Sequence, residues 1–415
     1  SLGGLQQKRT IINKTLLHLP DDYPDPWPYQ ERGYFWWHMI FDYTKPHFTQ
    51  NSKLIVVEGN IGSEKSRTAK ELADQLGFLY MPEFRMDHIL IDRYGNDMRD
   101  FYPLFPARFR IPDIKMFCKD PFSDMSAVMR DRIFNCRFDQ YLNAIAHILN
   151  TGQGVVLERT PHTDFVFANA MRAKNYIGPE YFKFYYYLRK GAIPQLNFWP
   201  HLVVYLDAPV DKCLETIRGE GDVDKIATFD AEYLKTVEDS YKDALREFQK
   251  HSKILIYDWS QPGNTDTIVE DIERIDFDFF EWHSGEVFEE WFEPKDEVTW
   301  CGWRQFVTDK SRPRSLAFDS IRTHEVGELY INPNDMTHFI NTMKTQVLKS
   351  PYSYGYIREK GDSFSNLTAW RTGYVLPEPW FDYFYKEAYY DFYRSNDAGM
   401  DPYATAYNPD YVHGH

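Results

Sequence analysis

The sequence is poor in cysteine: Cys118, Cys136, Cys213 and Cys301 are the four in 415 residues, and none forms a CxxC pair. That spacing excludes a zinc ribbon or a disulfide framework and makes a reducing compartment the default. Positive charge is also short, with 47 Lys and Arg against 62 Asp and Glu and a formal net charge of -15. A surface that tracks a nucleic-acid backbone needs clustered cations, so no nucleic-acid partner is expected. No apolar run approaches the roughly 18 to 20 residues that cross a bilayer, so no transmembrane span is expected either. No internal repeat is seen, and no secretory signal or complete transit peptide is visible in these residues. Ser1 is not an initiator methionine and Gln6 to Arg9 is mildly basic, as in a processed organellar protein or a chain trimmed at its start. No metal is expected, because Asp222-x-Asp224 lacks the glycine and spacing of a calcium loop and His413-Gly414-His415 reads as a tail.

Against these absences stands the stretch Leu54 to Gly77, LIVVEGNIGSEKSRTAKELADQLG. An apolar run turns through two glycines into a Lys-Ser pair and then into a helical pattern. A phosphate-binding loop wants Gly, four free positions, Gly, Lys, and Ser or Thr, because its successive backbone N–H groups cradle phosphate oxygens. Gly59, Asn60, Ile61, Gly62, Ser63, Lys65 and Ser66 fit, and Glu64 stands where the second required glycine belongs. Lys65 would bridge terminal phosphates and Ser66 would meet Mg2+. Glu64 brings a carboxylate toward those oxygens, a repulsion of roughly 4 kcal/mol at about 4 Å and an effective dielectric near 20. It also adds a Cβ where glycine's backbone freedom is used. The loop escapes the repulsion if the side chain turns to solvent or to Lys65.

From Lys53 to Asp258 strands alternate with helices, the pattern of a parallel sheet covered on both faces. The strands are Leu54 to Val57, Phe78 to Met81, Gly154 to Leu157, Leu202 to Leu206 and Ile254 to Tyr257. Between them one helix follows the loop and stops at Gly77. A second carries Phe138, Tyr141, Leu142, Ile145, Ile148 and Leu149 on one face, a third runs through Cys213, Leu214 and Ile217, and Asp230 caps a fourth. Gly219 to Thr228 reads as a loop, residues 84 to 120 have no clear pattern, and beyond Asp258 the alternation stops. The chain thus divides into an extended arm at 1–50, a nucleotide-binding unit at 51–260 and an aromatic extension at 261–415, with one helix around Met336 to Leu348.

Two more features sit at the carboxyl edge of the sheet, where open parallel sheets bind ligands. Glu83, just past the second strand, is either a general base toward a sugar hydroxyl or a solvated strand end. Glu158-Arg159 ends the third strand, and Arg159 either holds Glu83 or a substrate oxygen or forms a structural ion pair.

Together the GNIGSxKS loop, the acid after the second strand and the Glu158-Arg159-Thr160 triplet resemble the deoxyribonucleoside kinase family over about Lys53 to Asp258. The resemblance implies a P-loop kinase-like five-stranded parallel sheet flanked by helices, here with long irregular N- and C-terminal extensions. It implies transfer of the ATP γ-phosphate to a deoxynucleoside 5′-hydroxyl, with Glu83 as base and Arg159 on the substrate. Family members close an arginine-rich lid on the phosphoryl group, whereas Ile217 to Ile226 offers Arg218 and Lys225 among Glu220, Asp222 and Asp224. A substrate-contact glutamine maps onto Asn135 or Gln140, according to the gap.

Long aromatic arms on such a core are similar to the branch of this family found as an accessory subunit of mitochondrial respiratory complex I. That branch implies no catalysis, with Glu83 and Arg159 vestigial and Glu83, Glu158, Arg159 and Arg218 lining the old substrate pocket. It requires no cofactor, and a vestigially bound nucleotide would be structural. It implies assembly and stability of the NADH:ubiquinone oxidoreductase, as a peripheral protein on the matrix side of the mitochondrial inner membrane. The partners would be other complex I subunits, chiefly those of the membrane arm. The alternatives are an active mitochondrial deoxyribonucleoside kinase and a nucleotide-sensing module. The aromatic arm, with Trp27, Tyr29, Tyr34, Phe35, Trp36 and Trp37, lies on its own domain or on a neighbour, and as interface it would be dispensable to a fragment of residues 51 to 260.

Overall fold

The computed structural model describes residues 11–30, 33–91, 97–261, 263–277, 287–292, 296–319 and 325–347. Gln6 to Arg9, residues 278–286 of the aromatic extension, and the tail with His413-Gly414-His415 lie outside them. The described residues fall into two compact units: one holds those up to Glu83 and from Phe134 to Asp319, the other those from Phe84 to Ile133 and 325–347.

In chain order the elements are β1 (Leu54–Gly59), α1 (Lys65–Leu76), β2 (Leu79–Met81), α2 (Asp87–Leu90), α3 (Ile114–Lys119), α4 (Met125–Thr151), β3 (Val155–Glu158), α5 (Phe165–Ala173) and α6 (Pro179–Ala192). They continue with β4 (Leu202–Asp207), α7 (Val210–Gly219), α8 (Val223–Thr228), α9 (Ala231–Phe248), β5 (Lys253–Asp258), α10 (Thr265–Glu273), α11 (Glu289–Phe292), α12 (Glu297–Thr308), α13 (Ser311–Arg314) and α14 (Pro333–Thr342). The five strands form one all-parallel sheet in the order β2-β3-β1-β4-β5. All six residues of the central β1 are buried, as a strand covered on both faces requires. Gly77 ends α1 in the left-handed region at φ 70°, its N–H donating to the Ala73 carbonyl. Asp230 caps α9 by accepting from the Tyr233 N–H.

The five strands and the helical face of α4 match the sequence expectation, and Phe138, Tyr141, Leu142, Ile145, Ile148 and Leu149 are fully buried. Two local readings need correction. Gly219 to Thr228 is not all loop: α8 forms there because the Asp222 side chain accepts from the Lys225 N–H. The alternation does not stop at Asp258, since α10 follows β5, buries Ile268, Val269 and Ile272, and packs beside α1 through Thr265 and Glu71. Helices α5 and α6, between β3 and β4, add to the sequence reading: α5 buries Phe165, Val166, Phe167 and Met171, and α6 buries Tyr181, Tyr185 and Leu188.

The arm lies on its own domain. Tyr23 donates to the His47 carbonyl at 2.6 Å and the Thr151 carbonyl at 3.0 Å, and the Trp27 N–H donates to the Asn150 carbonyl at 2.9 Å. Gly152, at φ +73°, fits under this crossing because a Cβ there would meet the His47 carbonyl at 1.6 Å. Residues 296–308 close the same unit: Arg304 on α12 is fully buried, pairs with Asp42 Oδ2 at 2.6 Å, donates to Asn150 Oδ1 at 2.8 Å and lies 3.9 Å over the Tyr34 ring. The arm therefore has a buried side and an outer side, where Trp36, Ile40, Phe41 and Tyr43 are exposed.

In the second unit Arg99 pairs with Asp87, Asp97 and Asp113 at 2.6 to 2.8 Å. Phe339 on α14 stacks on Phe109 with ring centroids 4.2 Å apart. Helix α14 begins three residues earlier than Met336, because Asn332 caps it and Pro333 takes its first turn.

Candidate functional site

The loop Gly59 to Ser66 leaves the central strand and enters α1, as the sequence requires. Gly62 takes φ +82° and a Cβ on it would meet the Cys213 carbonyl at 2.9 Å, so α7 presses on the loop where only glycine fits. Asn60 and Ser63 are buried, Asn60 donating to the Leu234 carbonyl at 3.0 Å and the Ser63 hydroxyl to the Asn60 carbonyl at 3.0 Å. Ile61 is half-buried, its N–H donating to the Asn60 side chain at 2.8 Å. Glu64 is the left-handed residue preceding α1, at φ 54° and ψ 28°. It holds the backbone conformation for which glycine is suited, with its side chain exposed.

Lys65 is buried, and its Nζ lies 3.5 Å from Glu83 Oε2. Burial lowers its pKa and so does Arg159, while Glu83, Glu158 and Glu58 act in the opposite sense. The Ser66 hydroxyl donates to Glu158 Oε2 at 2.9 Å, and Tyr80 donates to the other oxygen of the same carboxylate.

Glu83 is the hub. Arg159 Nε lies 2.7 Å from its Oε1, and Arg137 Nη2 donates to the same oxygen at 2.7 Å. Burial alone would raise the Glu83 pKa, but Arg159, Lys65 and Arg137 outweigh it and hold the carboxyl well below the usual range. A carboxylate so stabilised is a weak proton acceptor near neutral pH. Arg159 itself sits at φ 61° and donates through Nη1 to Tyr241 at 3.0 Å. Tyr241 donates to Glu58 Oε2 at 3.0 Å, and Thr163 donates to Glu58 Oε1 at 2.6 Å. Burial pushes the Glu58 carboxyl above its ordinary value.

The structure thus brings Lys65, Ser66, Glu83, Glu158 and Arg159 together at the carboxyl edge of β1, β2 and β3. Arg218 on α7 is exposed and its side chain meets none of them. Lys225 on α8 pairs with Glu220. Gln140 is buried and donates to the Pro82 carbonyl at 2.6 Å, beside Glu83, whereas Asn135 is only half-buried.

Sequence reasoning missed four members of the cluster. Arg137 joins Glu83 to Asp164, 2.7 Å from each, and Asp164 is fully buried and accepts from Tyr185 at 2.7 Å. Glu58 and Tyr241 complete the set. Glu58 interrupts an otherwise apolar strand, a signal that was present; Arg137, on a helix that also carries Arg130, Asp131, Arg132 and Asp139, had none, and neither had Asp164 and Tyr241.

A phosphate loop springing from the central strand toward an acid-base cluster on the sheet's carboxyl side makes this a kinase-type P-loop fold. The chain belongs to the deoxynucleoside kinase family, whose model matches residues 55–294. Among its relatives, NADH dehydrogenase (ubiquinone) 1 alpha subcomplex subunit 10, mitochondrial, of Mus musculus is 29% identical over 329 residues, 79% of this chain and 87% of that protein. The protein of the same name in Bos taurus is 34% identical over 238 residues, 56% of this chain and 67% of that one. Deoxyguanosine kinase of Dictyostelium discoideum is 27% identical over 227 residues, 54% and 70% of the two chains. The solved structure of deoxyadenosine kinase from M. mycoides with bound dCTP matches 54% of this chain and 100% of its own at 16% identity, with a TM-score of 0.40.

Proposed function

We propose that this chain is an accessory subunit of the mitochondrial NADH dehydrogenase (ubiquinone) complex in which the kinase site no longer transfers phosphoryl groups. The observation that carries the reading is the match to the mouse subunit over 79% of this chain and 87% of that protein, a longer stretch than the family model covers. Its role is assembly and stability of the complex as a peripheral protein on the matrix side of the inner membrane, with membrane-arm subunits as partners and no cofactor required. No helix among the described residues is long and apolar enough to cross a membrane, which is compatible with peripheral attachment. The outer side of the arm, Trp36, Ile40, Phe41 and Tyr43, offers aromatic area of the kind enriched in interfaces.

The site supports loss of catalysis on three grounds. Glu64 stands in the loop, Ser66 is engaged by Glu158, and Lys65 faces Glu83. The cations Lys65, Arg137 and Arg159 are met by Glu83, Asp164, Glu158 and Glu58, so a triphosphate finds no excess positive charge.

The test is two measurements on the full chain. A tagged form expressed in mitochondria is purified and the eluate assayed for NADH:ubiquinone oxidoreductase activity and for its subunits; co-purification that survives high salt is the expected result. The purified chain is then given ATP, Mg2+ and deoxynucleosides. Turnover above background establishes the alternative, an active deoxyribonucleoside kinase, which the resemblance to the Dictyostelium enzyme favours.

A further inference from the structure

The two edges of the sheet are unequal. At one, β2 has three residues; at the other, β5 has six, Lys253 to Asp258. In a parallel pair alternate residues turn both backbone groups toward the neighbour. The Lys253 N–H donates to the His201 carbonyl at 3.1 Å and the Trp259 N–H to the Asp207 carbonyl at 2.9 Å, so the odd-numbered residues face β4. The N–H and C=O groups of Ile254, Ile256 and Asp258 therefore face away from it. Among the described residues no hydrogen bond reaches them there, since β5 pairs with β4 alone.

An open edge is ordinarily blunted by brevity, proline or a central charge. Strand β5 has none of these: its middle reads Ile-Leu-Ile, and the Ile256 side chain is 59% exposed. At its carboxyl end Asp258, Asp207 and Glu238 gather, faced by Lys242 and Lys235, which are themselves paired with Asp239 and Glu238. Asp258 is exposed, and the Asp207 carboxyl beside it is raised by burial and by Glu238 and Asp258.

We infer that the outer edge of β5 is a strand-addition site that takes an extended segment of a partner polypeptide, apolar at alternate positions and basic where it passes Asp258. The backbone of the incoming segment pairs with Ile254, Ile256 and Asp258, its apolar side chains pack beside Ile254 and Ile256, and its cation meets Asp258 and Asp207. The inference rests on the proposed function, since the partner is another subunit of the assembly.

Residue-resolved hydrogen exchange on the full chain, free and within the purified complex, tests it. The amides of Ile254, Ile256 and Asp258 are expected to exchange as open backbone in the free chain and at least about tenfold more slowly in the complex, while Leu255 and Tyr257, bonded to β4, stay slow in both. Slow exchange of the three in the free chain would mean that its own residues fill the edge, and overturns the inference. Unchanged exchange on assembly overturns it equally.

Two variants give an independent reading. Ile256→Pro removes an N–H that β4 does not use, so the fold is retained while pairing is blocked; Ile256→Lys places a charge on the same edge without touching the backbone. Both are expected to reduce recovery with the complex by about tenfold, the loss that corresponds to one or two hydrogen bonds, with a thermal midpoint near wild type for Ile256→Lys. Wild-type recovery of both variants overturns the edge site alone. Absence of the wild-type chain from the complex overturns the proposed function and the edge site with it.

Discussion

The Lys65 ammonium lies 3.5 Å from the Glu83 carboxylate, which joins the phosphate loop to the residue past β2 through a side chain that would otherwise meet phosphate. The pair is the outer end of a chain of contacts through Arg159 and Tyr241 to Glu58, and through Arg137 to Asp164. A nucleotide entering the loop must compete with these carboxylates for the same cations.

Replacing Glu64→Gly is expected to stabilise the fold and to strengthen nucleotide binding. A side chain at φ 54° strains the backbone, and removing it recovers up to about 1 kcal/mol after glycine's added unfolded-state entropy. The exposed carboxylate is screened by water and salt, so affinity for a nucleotide rises by about tenfold, less than the roughly 4 kcal/mol of an unscreened contact implies. Urea midpoints and calorimetric titration with ATP measure the two effects; unchanged binding refutes the electrostatic part.

Arg304→Ala is expected to cost about 3 to 5 kcal/mol, because the fully buried guanidinium is the partner of Asp42 Oδ2 and Asn150 Oδ1, and its loss leaves the carboxylate with His47 alone and the Asn150 oxygen without its donor. The arm between Gly33 and Asn51 should then become sensitive to limited proteolysis while the sheet stays intact. Cleavage no faster than in the wild type would refute the role of Arg304 as the clasp.

A fragment of residues 51 to 260 is expected to fold poorly, contrary to what the sequence alone led us to expect. It lacks Tyr23, Trp27 and Arg304, which engage Thr151 and Asn150 at the end of α4. Its thermal midpoint should fall by about 10 °C relative to the full chain, given about 2 to 4 °C per kcal/mol for a domain of this size. A midpoint equal to that of the full chain would show the arm to be energetically idle.

Glu83 fixes the sign of one pH dependence. Its folded pKa lies below the unfolded value near 4.5, so the stabilisation it provides is present above that pH and is lost as pH falls through the folded value. Glu58 has a raised pKa and the opposite sign, its contribution falling as pH rises above about 4.5. Glu83→Gln should therefore lower stability at pH 7 and flatten the acid limb below about pH 4.5. Denaturant midpoints from pH 7 to 3 measure both, and an acid limb as steep as the wild type's would assign it to other carboxylates.

What the sequence by itself determined is the sheet and the loop. Apolar runs of strand length, turn residues and the Gly59 to Ser66 pattern are local signals, and burial of β1 on both faces made Leu54 to Val57 legible without any neighbour. Glu64 was legible too, as a charged residue at a position that requires glycine's backbone. Only the tertiary structure decided what the side chains at the carboxyl edge do. Glu83, Arg137 and Asp164 are far apart in sequence, and whether a carboxylate is a base or an ion-pair hub depends on which cations the fold brings within 3 Å of it. The same holds for the ends of the described chain: Asp42 and Arg304 are separated by 262 positions, and no local pattern announces that one buries the other's charge.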